Sequence, residues 1–334
     1  MRALRERPPI AGHIEQEAFQ RINKRLLERF FHTAYVNFMS ERWTGERVRE
    51  MAAGAWTALR GIVPARWRGD RPVVPVVRLS GVIGLSTPLR PGLTMAGLAR
   101  ALERAFSVRN AAAVALAINS PGGSPVQSHL IFRRIRELAD EHKRQVIAFV
   151  EDAAASGGYM IACAADEIIA DPYSIVGSIG VIGGSFGFDK LIAKLGIERR
   201  IYTSGEHKAQ LDPFLPEDPG DVERLKALQR EIHDKFIALV KSRRGGKLNG
   251  ADNDLFSGEF WTGGRALTLG LVDGVGELRN TLRARFGDKV AIPLIGAERR
   301  LFGRRPGVRL NPGGFAEDII TALEARALWA RYGL

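Results

Sequence analysis

The chain has 334 residues, 45% of them hydrophobic and 26% charged, which is enough apolar material for a sizeable core and too much for a disordered chain. A formal net charge of +12 favours an anionic contact, but no zinc-finger spacing and no interleaving of aromatic and basic residues occurs, so nucleic acid is not the expected partner. The single cysteine, Cys163, excludes an intramolecular disulfide framework.

Much of the positive charge lies at the ends. Residues 1–71 hold 14 Lys and Arg against 8 Asp and Glu, and residues 295–334 hold 7 Arg against 4 acids. Such basic ends suit attachment to an anionic membrane surface. Arg2, Arg5 and Arg7 run into Pro8 and Pro9 without an apolar core behind them, so no secretory signal is read there. No window of about 20 apolar residues occurs either, and the expected location is cytoplasmic or peripheral to a membrane.

From Ile14 to Met39 the apolar residues Ile22, Leu26, Leu27, Phe30 and Phe31 recur at steps of three and four, predicting an amphipathic helix. A second helix is expected from about Glu46 to Arg60, followed by a linker marked by Pro64, Gly69 and Pro72. Beyond it, short apolar runs alternate with helical ones. Strands are predicted to start within residues 72–84 and to cover residues 111–118, 145–150 and 167–170, with helices at 129–142 and 221–241. That order implies an α/β core with mostly parallel pairing.

The chemistry falls at the ends of the strands. In NSPGGSP, residues 119–125, Gly122 and Gly123 let backbone approach a ligand closely, and N–H groups at such a turn can hold a developing oxyanion. In ASGGYMIACAA, residues 155–165, Ser156 stands at a helix start, with Gly157 and Gly158 behind it. The bland reading is a helix-capping serine; the chemical one is a nucleophile. Cys163, two helical turns on, reads as a buried structural thiol. The uncharged, glycine-rich run from Pro172 to Phe188 reads as backbone lying close to a site.

A nucleophilic serine needs a base. His13, His32, His129, His142 and His233 fall in helical patterns, and His207 lies beside Lys208 in TSGEHKAQLDPF, residues 203–214. A desolvated lysine can serve as the base, but a lone lysine in a turn is ordinarily a solvated charge. There is no metal-ligand constellation, Walker loop or dinucleotide fingerprint, and neither metal nor cofactor is expected.

Taken in order, AINSPGG, ASGGYMIA, GSIGVIGG (residues 177–184), SGEHK with Pro213 and Phe214, and SGEFWTGGRALTLGLVD (residues 257–273) resemble the S49 family of serine peptidases, the signal peptide peptidase A and protease IV group. The resemblance covers roughly residues 73–280. It implies Ser156 as nucleophile, Lys208 as general base, Gly123 and Gly157 as the oxyanion hole, and Ser178 as a side chain that holds the lysine. It also implies a fold like that of the caseinolytic protease ClpP and the crotonases, a spiral of ββα units, and a ring-like or dome-like homo-oligomer in which serine and lysine can come from neighbouring subunits. The expected substrate is a peptide or an unfolded or membrane-derived polypeptide.

The domain reading is a basic helical extension at 1–72, a peptidase domain at 73–285 and a basic tail at 286–334. Typical members carry an N-terminal membrane anchor, whereas this chain begins with amphipathic helices, which separates it from the usual signal-peptide setting. Two other readings remain open: a crotonase-type acyl-CoA enzyme using the same oxyanion geometry, and a catalytically silent scaffold at a membrane surface.

Overall fold

Strands and helices follow one another in the computed structural model, which describes residues 71–84, 92–296 and 322–334. The helices expected at 14–39 and 46–60 lie outside those residues. In chain order the elements are β1 (Val76–Ser80), α1 (Met95–Phe106), β2 (Val114–Ser120), α2 (Pro125–His142), β3 (Val146–Ala155), α3 (Gly157–Ala162), β4 (Glu167–Ala170), β5 (Ile175–Gly177), α4 (Asp189–Lys194), α5 (Pro219–Arg244), α6 (Asp252–Leu255), β6 (Phe260–Thr262), α7 (Gly263–Thr268), β7 (Gly274–Val275), α8 (Leu278–Phe286) and β8 (Leu294–Ile295). Residues 322–330 are also helical.

One sheet runs in the order β6-β5-β3-β2-β1-β8, parallel except for the β5–β6 pair. Its centre is apolar throughout because helices and loops cover both faces. Val114, Leu116 and Ile118 of β2 point into one core with Leu102, Phe106, Ile131 and Ile135, while Ala115 and Ala117 face a smaller one with Phe149, Ile169 and Leu282. That alternation is the pleat of a strand buried twice over.

Strand β3 forks the sheet. Its first half, Ile147–Val150, pairs with β4, and its last three residues, Ala153–Ala155, pair with β5. The residues between, Glu151 and Asp152, are held from β1 by Arg78, which bonds both Glu151 carboxylate oxygens at 2.8 Å, and from β2 by Asn119, which donates to Asp152 at 2.5 Å. The fork divides one side of β3 between two partners, β4 and β5. It also carries β3 five residues past its predicted end at 150, so that Ser156 follows directly.

Two helices begin earlier than their apolar periodicity suggested, because their starts are fixed by caps. Ser124 accepts from the Gln127 N–H with Pro125 in the first turn, and Asp218 accepts from the Asp221 N–H with Pro219 behind it. Cys163 caps α3 from outside and is fully buried, its thiol pushed up to about 12 chiefly by burial, as suits an inert structural side chain.

The described residues fall in one compact unit, Gly69–Leu334. Within the stretch expected as a basic tail from residue 286, the described residues include β8, which adds to the sheet beside β1, and the buried Tyr332.

The motif at 257–273 closes the unit through a buried ion pair. Arg244, at the end of α5, donates to the Gly270 carbonyl and to Asp273 at 2.6 Å, while Lys247 at 2.6 Å and the Ile168 N–H at 2.8 Å complete the Asp273 carboxylate. Burial pushes this carboxyl up, but the bonds from Arg244, Lys247 and Ile168 outweigh it and hold the group below its ordinary range. Gly270, at φ 73°, brings its Cα so near the Lys247 carbonyl that a Cβ would stand 1.8 Å from the oxygen.

Removing Arg244 leaves Asp273 charged and partly buried without its main partner. Arg244→Ala is therefore expected to lower unfolding free energy by about 3–5 kcal/mol, measured by urea denaturation at neutral pH. A depressed carboxyl stabilises above its unfolded value near 4 and loses that contribution as pH falls through the folded value. Asp273→Asn should accordingly flatten the acid limb of the stability profile below about pH 4, and an unchanged acid limb would remove Asp273 from it.

Candidate active site

Ser156 sits where β3 turns into α3, with φ 52° and ψ −120°. That conformation is sparsely populated by any residue with a Cβ and costs about 1–3 kcal/mol. Two backbone bonds hold it: the Ser156 N–H donates to the Gly177 carbonyl at 2.8 Å, and its carbonyl accepts from the Met160 N–H at 3.0 Å. Small residues let the turn close. Ala153, Ala154 and Ala155 are fully buried, and a Cβ on Gly158 would stand 2.7 Å from the Ser120 carbonyl oxygen.

The capping alternative fails on geometry. Ser156 holds the N-cap position of α3, but its hydroxyl makes no capping bond. A strand–serine–helix turn with positive φ and an uncommitted hydroxyl is the geometry of a nucleophile elbow.

The Pro-Gly-Gly turn lies against the same serine. A Cβ on Gly122 would approach the Ser156 Cβ to 2.9 Å and the Gly157 nitrogen to 3.0 Å. Gly123 is pinned beside Ile83: the Ile83 N–H donates to the Gly122 carbonyl and the Ser124 N–H to the Ile83 carbonyl, each at 2.8 Å. Ser120, not singled out by its sequence context, fixes the turn by donating to the Gly81 carbonyl at 2.7 Å and accepting from the Gly122 N–H at 3.2 Å. Among the described residues, neither the Gly123 nor the Gly157 N–H has a hydrogen-bond acceptor.

Ser156, Gly157 and Gly123 line a cleft of about 440 Å³ whose walls are largely apolar, with Ile83, Met160, Val181, Ile182 and Phe236 among them. Gly180 and its neighbours bring the glycine-rich run from 172 to 188 to the cleft, where its sequence suggested backbone near a site. Ser178, at φ 53°, is buried beside the cleft; its N–H donates to the Glu259 carbonyl at 2.7 Å and its hydroxyl meets Tyr332. Leu328 and Arg331 also line the cleft, with Tyr332 beside them on Ser178; nothing in the pattern of the basic tail distinguishes any of the three.

Lys208 is not part of this cleft. It lies in an exposed turn, its N–H donating to the Gly205 carbonyl at 3.3 Å, and is absent from the lining around Ser156. His207 is exposed beside it, and His233 bonds the Ile179 carbonyl at 3.0 Å. The segment leading to Lys208 is unusually apolar for a surface: Ile182 is 71%, Phe186 79% and Tyr202 91% exposed, with Leu191, Leu195 and Ile197 also out in solvent. Among the described residues, no group of three His, Cys, Asp or Glu could hold a metal ion, and no helix is long and apolar enough to cross a membrane.

Because the strain at Ser156 comes from its Cβ, Ser156→Gly should be more stable than wild type by about 1 kcal/mol, whereas Ser156→Ala should gain nothing. Chemical denaturation of the two variants checks this. Equal stabilities would mean the turn carries no strain.

Residues 139–289 match the family model "Peptidase family S49". Among curated relatives, a Na(+)/H(+) antiporter NhaA of Brucella abortus (strain 2308) is 55% identical over 83% of this chain and 39% of its own length. The chloroplastic serine protease SPPA of Arabidopsis thaliana is 30% identical over 78% of this chain and 39% of its own length. The chain thus spans about two fifths of each, and the antiporter's name describes a protein most of which has no counterpart here. Among solved structures, the 1510-N membrane-bound stomatin-specific protease bound to a substrate peptide is 18% identical, with a TM-score of 0.44 over 69% of this chain and 95% of that one. The matched segment holds both Ser156 and Lys208, so the part of this chain that carries them is similar to peptidase family S49.

Proposed function

We propose that the chain is a serine endopeptidase in which Ser156 attacks the peptide carbonyl and Lys208 takes its proton. The observation that carries the reading is the Ser156 turn: a hydroxyl released from capping, held in a strained conformation, at an apolar cleft beside two N–H groups that have no acceptor among the described residues. The Gly123 and Gly157 N–H groups would receive the tetrahedral oxyanion, a contribution of about 2.7–4 kcal/mol per donor in related chemistry. The amine would then return the proton to the leaving nitrogen. An apolar cleft favours peptides with small or apolar residues next to the scissile bond, as in unfolded or membrane-derived polypeptides.

Lys208 must be desolvated to act as a base at neutral pH, and in the single chain it is exposed. The apolar surface of residues 182–202 supports a second copy of this chain as the missing cover. Association there would bury that surface and carry one subunit's Lys208 to another subunit's Ser156, with Ser178 holding the amine. The crotonase-type alternative gains no free acid from Glu151, which is tied to Arg78, or from Asp152, which is bonded by Asn119.

Cleavage of casein by wild type is expected to vanish in Ser156→Ala and in Lys208→Ala and to persist in His207→Ala. Co-assembled Ser156→Ala and Lys208→Ala subunits should recover part of the activity, since some interfaces then pair an intact serine with an intact lysine. Activity surviving in either single variant refutes the dyad, and failure of the mixture to recover places both groups in one chain. Thioester turnover by Ser156→Ala would favour the crotonase reading instead.

A further inference from the structure

The segment 322–334 returns to the cleft that holds Ser156. Leu328 and Arg331 form part of its wall, together with Ser156, Gly123 and Gly157. One residue on, Tyr332 is 8% exposed and points its hydroxyl at the buried Ser178, 3.2 Å from Oγ, and at the Pro121 carbonyl, 3.4 Å away. Its ring stands edge-on against Phe260, centroids 5.0 Å apart at 79°, with the Arg331 guanidinium 5.9 Å from its centroid. Pro121 belongs to the Pro-Gly-Gly turn and Ser178 follows β5, whose Gly177 carbonyl holds Ser156. A single phenol therefore touches both supports of the candidate nucleophile.

We propose that Tyr332 and its helix are a built-in plug that occupies the Ser178 position and part of the peptide cleft until substrate and a neighbouring Lys208 displace them. The inference rests on the dyad reading above. If Ser178 holds the catalytic amine, that amine and the Tyr332 hydroxyl compete for one buried oxygen. Ser178 is 5% exposed, and Tyr332 fills its open side, so both cannot sit there together. Leu328 likewise takes wall space that an apolar substrate side chain would use. The isolated chain thus has its plug in and its lysine out. Assembly and substrate binding would reverse both, coupling activity to the oligomer and limiting cleavage by unassembled subunits.

The contact is adapted to be released: one neutral hydroxyl shared between Ser178 and the Pro121 carbonyl and one ring pair, on a segment otherwise largely exposed. Losing the hydrogen bond alone should shift the plugging equilibrium about two- to tenfold.

The test compares wild type, Tyr332→Phe and Tyr332→Ala by the rate at which a fluorophosphonate inactivates the protein, and by KM and kcat on a short alanine–leucine peptide. Tyr332→Phe keeps the ring and loses the bond; it should react about two- to tenfold faster with a lowered KM, and Tyr332→Ala faster still. Variants that are slower than or equal to an active wild type would overturn the plug and leave the dyad standing. A second measurement needs no catalysis: in Ser156→Ala, amide exchange across residues 322–334 should rise when the same peptide is added. Unchanged exchange at saturating peptide overturns the plug even if every form proves inactive, an outcome that would separately sink the dyad.

Discussion

The backbone of Ser156 is the constraint on which the site depends. A residue with a Cβ is kept at φ 52° and ψ −120° because the strand before it and the helix after it are each fixed independently. Strand β3 is tied on one side to β2 and on the other to β4 and then β5, so its last three residues have no freedom to relax. Helix α3 is fully buried against α2 and the sheet. Strain of about 1–3 kcal/mol at one turn is small beside what these contacts supply, and it leaves the hydroxyl facing the cleft when an ordinary cap would have turned it onto the helix.

From that turn the roles of the other motifs follow. The Pro-Gly-Gly turn must lie within contact of the Ser156 Cβ, which only glycine at 122 permits. Ser120 and Ile83 hold the turn in place, and their bonds leave the Gly123 N–H without an acceptor among the described residues. The 257–273 motif acts at a distance: Arg244 and Asp273 lock the end of α5 to the loop before β7, and β7 pairs with the strand that β3 carries on its far edge. Chemistry and architecture thus share residues, which is why several motifs are needed to specify one hydroxyl.

Much of this was legible in the sequence because burial on both sheet faces writes continuous apolar runs. Residues 111–118, 145–150 and 167–170 correspond closely to β2, the first part of β3 and β4. The end of β3 was not legible, since Glu151 and Asp152 interrupt the run and find their partners, Arg78 and Asn119, on other strands. Strands β5 to β8 are two or three residues long, too short to carry a period. Ser156, Gly157, Gly123 and Ser178 were readable from glycine-flanked strand ends and a family resemblance, and all four lie at or beside one cleft. Lys208 was readable only by resemblance, because nothing local distinguishes it from a solvated surface lysine, and in one chain it remains exposed. Tyr332 left no signal at all: its importance comes from where a distant segment lands.

The central claim is that Ser156, and no other serine, is an activated nucleophile in the native protein. The direct measurement is mass mapping of intact protein treated with a fluorophosphonate, alongside a denatured control. A single adduct on the peptide holding Ser156, absent after denaturation and after Lys208→Ala, is the predicted result. An unlabelled native protein, or an adduct on a different serine, would contradict the account.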